Sequence, residues 1–187
     1  MDLYPHGALR LLDAERTLVS LMREGMPQWP AFEALCGRAI AELRLRYPGV
    51  RACGEMVDIL WQRERREAAL MLEQYWNELA RARPFALFCA YRIDPLRGEA
   101  YGAGLDRLCR AHTHLVPARD YGELNRAVDE AARRVLEPAL AQMLASLSAS
   151  HRPGTEMPAG QAMLFWLKQN MPRTAEKVLA EVRAKLA

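Results

Sequence analysis

Apolar positions recur along the chain at two spacings, and the alternation between them predicts its elements. Ala8 to Leu12 reads Ala-Leu-Arg-Leu-Leu and predicts a short strand. Asp13 can then cap a helix by accepting from its unpaired backbone N–H groups. Leu18, Leu21 and Met22 continue at helical spacing until Gly25. Pro30 suits the first turn of a second helix, where a missing N–H costs nothing. Phe32, Leu35, Cys36, Ala39, Ile40 and Leu43 form its apolar stripe, and Tyr47-Pro48-Gly49 stops it. Val50 to Gly54 is a second strand candidate, followed by a helix that carries Met56, Val57, Leu60 and Trp61 on one face. Beyond the charged stretch Gln62 to Glu67, a longer helix aligns Ala69, Leu72, Trp76 and Leu79, and Pro84 bounds it. Phe85 to Tyr91 is seven residues without charge, the pattern of a strand covered on both faces.

This order predicts a helix-rich α/β layer with a short, mostly parallel sheet over residues 1–117. A mostly helical protein with one hairpin is the alternative. Arg92 to Gly104 reads as loop, Leu105 to Ala111 as a short helix, and His112 to Pro117 as a tight connection. Residues 118–187 predict a C-terminal helical region. Its first helix runs from Tyr121 to about Ser148 and is kinked or split at Pro138. A polar linker follows to Pro158, then two helices broken near Asn170-Met171-Pro172.

Several segments of the first 121 residues carry a resemblance in their order and spacing. Leu11-Leu12-Asp13-Ala14-Glu15-Arg16-Thr17-Leu18 is similar to an apolar strand running into D-A-x-x-T-L. Gly54-Glu55-Met56-Val57 with Leu60-Trp61 resembles G-E-M-V-x-x-L-W. Leu72-Glu73 with Trp76-Asn77-Glu78-Leu79 resembles L-E-x-x-W-N-x-L. Pro84 to Tyr91 resembles P-F-x-L-x-C-A-Y, and Cys109 with His112 to Pro117 resembles the closing element. Together they resemble the MEDS domain, a DcmR-type sensory module of methanogens and methylotrophs found beside histidine kinase or DNA-binding segments. That resemblance implies signal transduction and a three-layer fold like the RecA-type ATPases of the circadian-clock kinase group. It also implies that the first strand–loop–helix units, which would precede residue 8, are missing. A shortened sheet of that kind would expose an edge and one bare face. No G-x-x-x-x-G-K-[ST] occurs in the chain, so the phosphate cradle of such ATPases is lacking.

Composition narrows the function classes. Among 187 residues, 51% are hydrophobic and 26% charged, as in a globular protein that buries its own core. The net charge of +3 is too small for a nucleic-acid face, and the basic run Arg63 to Arg66 is broken by Glu64. Cys36, Cys53, Cys89 and Cys109 form no CxxC pair and read as reduced core thiols of a cytoplasmic protein. No run of 18 apolar residues spans a membrane, and the N-terminus does not read as a secretory signal. The absence of G-x-S-x-G, H-E-x-x-H and a dinucleotide fingerprint points to a protein that is not an enzyme and uses no cofactor.

The remaining candidates are binding residues. Glu55, Trp61, Trp76 and Asn77 could line a pocket for a small hydrophobic ligand. Equally, Glu55 could serve the helix dipole, and Glu73 with Asn77 could be a buried polar brace. Glu73 and Glu78 lie five apart, on different faces. His112 and His114, with Cys109 nearby, are weak metal candidates, and the plainer reading has the histidines bonding the backbone of their turn. Leu164, Trp166, Leu167, Val178 and Val182 lie on two amphipathic helices. Packing within the chain is one account of them. The other is an interface with a protein partner, or with a second copy as a homodimer through the C-terminal helices.

Overall fold

Helix α1 (Ala14–Leu21) begins where Asp13 Oδ1 accepts the Arg16 backbone N–H at 2.8 Å, pairing one of the donors every helix start leaves open. The structure, a computed structural model, describes residues 8–97, 104–114, 121–150 and 157–186. The chain divides into two compact units, Met1–Arg92 and Ile93–Ala187. The end of the connection that begins at His112, residues 115–117, and residues 151–156 of the linker before Pro158 lie outside the described residues.

In the first unit, α1 leads into a small antiparallel hairpin that the apolar pattern does not signal, β1 (Met22–Arg23) and β2 (Met26–Pro27). Its two linking residues, Glu24 and Gly25, have φ of 52° and 82°, the left-handed pair of a tight hairpin turn. Next come α2 (Trp29–Phe32), a π-turn (Glu33–Gly37) and α3 (Arg38–Arg46), without a break in the helix. Across the π-turn, Glu33 takes a bidentate pair from Arg83, at 2.9 and 2.5 Å. A Cβ at Gly37 would sit 2.0 Å from Glu33 Oε2, so the glycine makes room for that pair.

The core of the unit is a strand–helix–helix–strand crossover: β3 (Arg51–Gly54), α4 (Met56–Gln62), α5 (Arg66–Ala82) and β4 (Ala86–Cys89). β3 and β4 pair in parallel, Arg51 opposite Ala86 and Gly54 opposite Cys89. Helix α5 buries Leu72, Trp76 and Leu79, each such side chain contributing about 1.5–3 kcal/mol. Helix α4 ends with Arg65 N–H bonded to Leu60 O and Glu64 N–H to Trp61 O. This is the two-bond cap that places one residue in left-handed backbone, and here that residue is Glu64, at φ 58°.

Two expectations change. Ala8 to Leu12 joins no strand ladder. The charge-free run Phe85 to Tyr91 is covered on one face only: Leu87 and Cys89 turn inward, while Ala86 and Phe88 are exposed, Phe88 by 50%. On β3, Arg51 and Cys53 share that bare face. The lack of polar alternation therefore reflects apolar residues left facing solvent, not a second covering layer.

Among the described residues of the second unit, the regular elements are all helices. Helix α6 (Leu105–Arg110) starts at Gly104, where φ is 107°. Helices α7 (Tyr121–Val135), α8 (Pro138–Ser150), α9 (Ala159–Asn170) and α10 (Pro172–Leu186) pack on one another. Pro138 divides α7 from α8 and Pro172 opens α10, as the sequence predicts. Helix α9 has no cap from its own chain start. Asn125 Oδ1, on α7, accepts the Gly160 backbone N–H at 2.7 Å instead. A Cβ at Gly160 would lie 2.8 Å from that oxygen and 3.1 Å from Asn125 Cα, so the approach of α9 to α7 needs glycine.

Asn125→Ala should lower unfolding stability by about 1 kcal/mol through loss of the cap. Glu64→Gly should raise it by about 0.5–1 kcal/mol by relieving left-handed backbone. Urea unfolding followed by circular dichroism reads both, and opposite signs would refute the two assignments.

Candidate functional site

A cleft of about 390 Å³ opens beside β3. One wall is helical, with Cys36, Ile40 and Leu43 of the π-turn and α3. Leu9, Leu11 and Leu12 form another wall, and Trp76 and Met56 a third. Along one side runs β3 itself, Arg51 to Gly54. Polar groups are few: Arg10, Thr17, Arg51 and Glu55. Arg10 is engaged with Glu42 at 2.6 Å.

Trp76 holds its place by aromatic packing. Its ring meets Phe32 edge-on at 4.8 Å and Phe85 at 6.1 Å. Phe32 in turn packs against Trp29 and Tyr75, and Tyr75 donates its hydroxyl to Pro27 O at 3.2 Å. A fixed indole beside an open apolar space offers a rigid wall to a ligand.

Of the four residues expected to line a pocket, Glu55 and Trp76 border the cleft. Glu55 is exposed at the start of α4 and makes no side-chain cap bond. Trp61 lies elsewhere: it meets Tyr91 edge-on at 5.9 Å and carries the Arg66 guanidinium over its ring at 5.4 Å. Asn77 is half-buried and does not border the cleft. Helical phase explains the split, since Trp61 and Asn77 project from α4 and α5 in other directions than Met56 and Trp76.

Two buried carboxylates brace this unit. Glu73 on α5, 1% exposed, accepts from Tyr91 Oη at 2.6 Å and Cys89 Sγ at 3.4 Å. Burial, then the neighbouring Glu73 charge, pushes both the Cys89 thiol and the Tyr91 hydroxyl far up, so neither ionises near neutrality. Burial also lifts the Cys36 thiol in the cleft, to about 11. Asp58 on α4 was not anticipated. It accepts from Gln62 Nε2 at 2.8 Å, Arg92 N at 2.9 Å and Arg92 Nε at 2.8 Å. Burial alone would raise the Asp58 carboxyl, but those hydrogen bonds outweigh it and hold it below the usual carboxylate range. The one sequence signal was an acid within the buried face of α4, four residues before Gln62.

In the second unit, His112 Nδ1 lies 2.8 Å from Leu108 O and His114 Nδ1 lies 3.0 Å from Thr113 Oγ1. Among the described residues, Cys109, His112 and His114 do not converge at metal-ligand spacing. Leu164, Leu167, Val178 and Val182 are buried among the helices of that unit, and Trp166 is half-buried. The four aliphatic residues are at 0% exposure and present no surface to another chain. Their stripes pack α9 and α10 into the unit itself, so the interface reading of these four is corrected to core packing. No helix among the described residues is long and apolar enough to cross a membrane.

The family model described as MEDS, the methanogen/methylotroph DcmR sensory domain, matches residues 2–113. No curated protein and no solved structure matches the chain.

Asp58→Ala should cost about 2–3 kcal/mol at neutral pH, the scale for charged hydrogen bonds lost from a buried site. Because the folded carboxyl is depressed, its contribution is complete above roughly pH 4 and disappears as pH falls through the folded value. Urea unfolding across a pH series should show the gap between wild type and variant narrowing in acid. A gap independent of pH would remove the role given to the Asp58 charge.

Proposed function

The chain belongs to the MEDS family of sensory domains, and from that premise we propose that it is a non-catalytic module of cytoplasmic signal transduction in bacteria. A small hydrophobic molecule registers in the cleft beside β3, and the change passes on by protein–protein contact, to another protein or a second copy of the chain. The observation that carries this reading is the cleft itself. At about 390 Å³ it falls within the range of ligand pockets, and its mostly apolar lining with a few polar groups is typical of them. Its place fits too, at the end of a parallel strand where the chain turns into a helix.

Several features favour binding over turnover. The Cys36 thiol in the cleft is held protonated by burial, so it is a poor nucleophile. Glu73 and Asp58, the buried carboxylates, accept from neighbouring side chains and backbone, and neither borders the cleft. Acid–base work needs two groups that converge on one reacting centre. The likeness to RecA-type folds belongs to the same reading and is supported by the parallel β3–β4 pair with its helical crossover.

Intrinsic tryptophan fluorescence provides the test, with toluene, cyclohexanol and hexanoate as probes. At least one should produce a saturable change in emission, which Trp76→Phe abolishes and Trp61→Phe retains. Leu43→Trp, which fills the cleft, should weaken that binding about ten-fold or more, on the order of 1.4 kcal/mol. A flat response to all three probes would count against the cleft as a sensor site.

A further inference from the structure

Two features face each other across the cleft. The first is the outer edge of β3. Val50 and Gly54 turn their carbonyls toward β4, accepting from Ala86 N at 3.0 Å and Ala90 N at 3.1 Å. Hydrogen-bonding sides alternate along a strand, so the N–H and C=O groups of Arg51 and Cys53 point the other way, toward the cleft. Among the described residues no strand pairs with that edge. An open row of backbone donors and acceptors is a template for one more strand.

The second feature is the segment opposite. Leu9, Leu11 and Leu12 are 56%, 83% and 49% exposed, although Ala-Leu-Arg-Leu-Leu has the composition of a strand. The segment is anchored at Asp13 by the α1 cap. Upstream of that, the Arg10–Glu42 pair ties the segment, with side chains 44% and 53% exposed, and such surface pairs hold little. Leu9 and Leu11 are two apart and share a side. On β3, the inward-turned positions are the small residues Ala52 and Gly54, and a Cβ at Gly54 would meet nothing within 4 Å. There is room for two leucines where the edge needs a strand.

We propose that residues 9–12 are a strap that adds to the outer edge of β3 as a third strand and so closes the cleft. In the present structure the strap stands off the edge. Docking would give Arg51 and Cys53 backbone partners and take the leucines out of water. It would also occupy the space a ligand needs, so strap and ligand would exclude each other; that consequence rests on the cleft being the ligand site, while the docking does not. Occupation from within the chain is favoured because the strap runs straight into the cleft wall, Ala14 lying two residues beyond Leu12, which makes its effective concentration high.

Disulfide trapping tests this in the full chain without any ligand, and so stands or falls apart from the fluorescence test. Leu9→Cys, Arg10→Cys, Leu11→Cys and Leu12→Cys are each oxidised with glutathione disulfide against the native Cys53. Val19→Cys, on exposed α1 surface, serves as control and Cys53→Ser as blank. The expected result is intramolecular cross-linking at positions 10 and 12, which would share the outward side of Cys53 when Leu9 and Leu11 turn inward, at least ten-fold faster than the control and than positions 9 and 11, and absent in the blank. Rates no faster than the control, rates without a two-residue alternation, or cross-links only between chains would overturn the proposal. The last result would assign the edge to a second copy.

Discussion

The backbone pairing of Arg51–Gly54 with Ala86–Cys89 is the constraint on which the first unit depends. Two parallel strands are too few to be stable alone, so the pair survives only by what is packed on it. Helices α4 and α5 cover one face, and two carboxylates fasten the ends. Glu73 reaches from α5 to Cys89 and Tyr91 at the close of β4. Asp58 reaches from α4 to Arg92, one residue further on. Both ties gather the strand ends near the same corner. The opposite edge and face stay open, and the cleft lies along that open edge.

Much of this was legible. Asp13, Pro30, Pro138 and Pro172 each mark an element start because their chemistry is local: a side-chain acceptor, or a missing N–H. The strands at Val50–Gly54 and Phe85–Tyr91 were legible from apolar runs between turn residues, and the family likeness from ordered motifs in the first unit. What escaped depends on partners far along the chain. The Asp58–Arg92 and Glu33–Arg83 pairs join residues 34 and 50 positions apart. The Glu24–Gly25 hairpin escaped because strands of two residues are too short to show a period. The bare face of β4 was misread because an uncharged run looks alike whether one side or both are covered.

Of the four residues expected to line a pocket, Trp76 and Glu55 border the cleft and Trp61 and Asn77 do not, though Glu55 shares one motif with Trp61 and Trp76 another with Asn77. Motif spacing shows which residues belong together in the chain, while helical phase decides which of them share a surface. The C-terminal stripes show the same limit. A regular apolar stripe specifies that a helix packs, but not on what, and here α9 and α10 pack within their own unit. On the proposed reading, the polar residues of the first unit serve to hold the cleft open and in shape, while recognition falls to aliphatic walls and one fixed indole.

The parallel ladder also has a kinetic consequence. Arg51 and Ala86 are 35 positions apart in sequence, so the ladder cannot form until the intervening chain has folded back on itself. Helices α4 and α5, neighbours in sequence and packed on each other, are the elements able to shorten that search by assembling early. Joining the two strands therefore carries the larger loop-closure cost in this unit, and non-local pairing of this kind slows folding relative to helices joined by short turns.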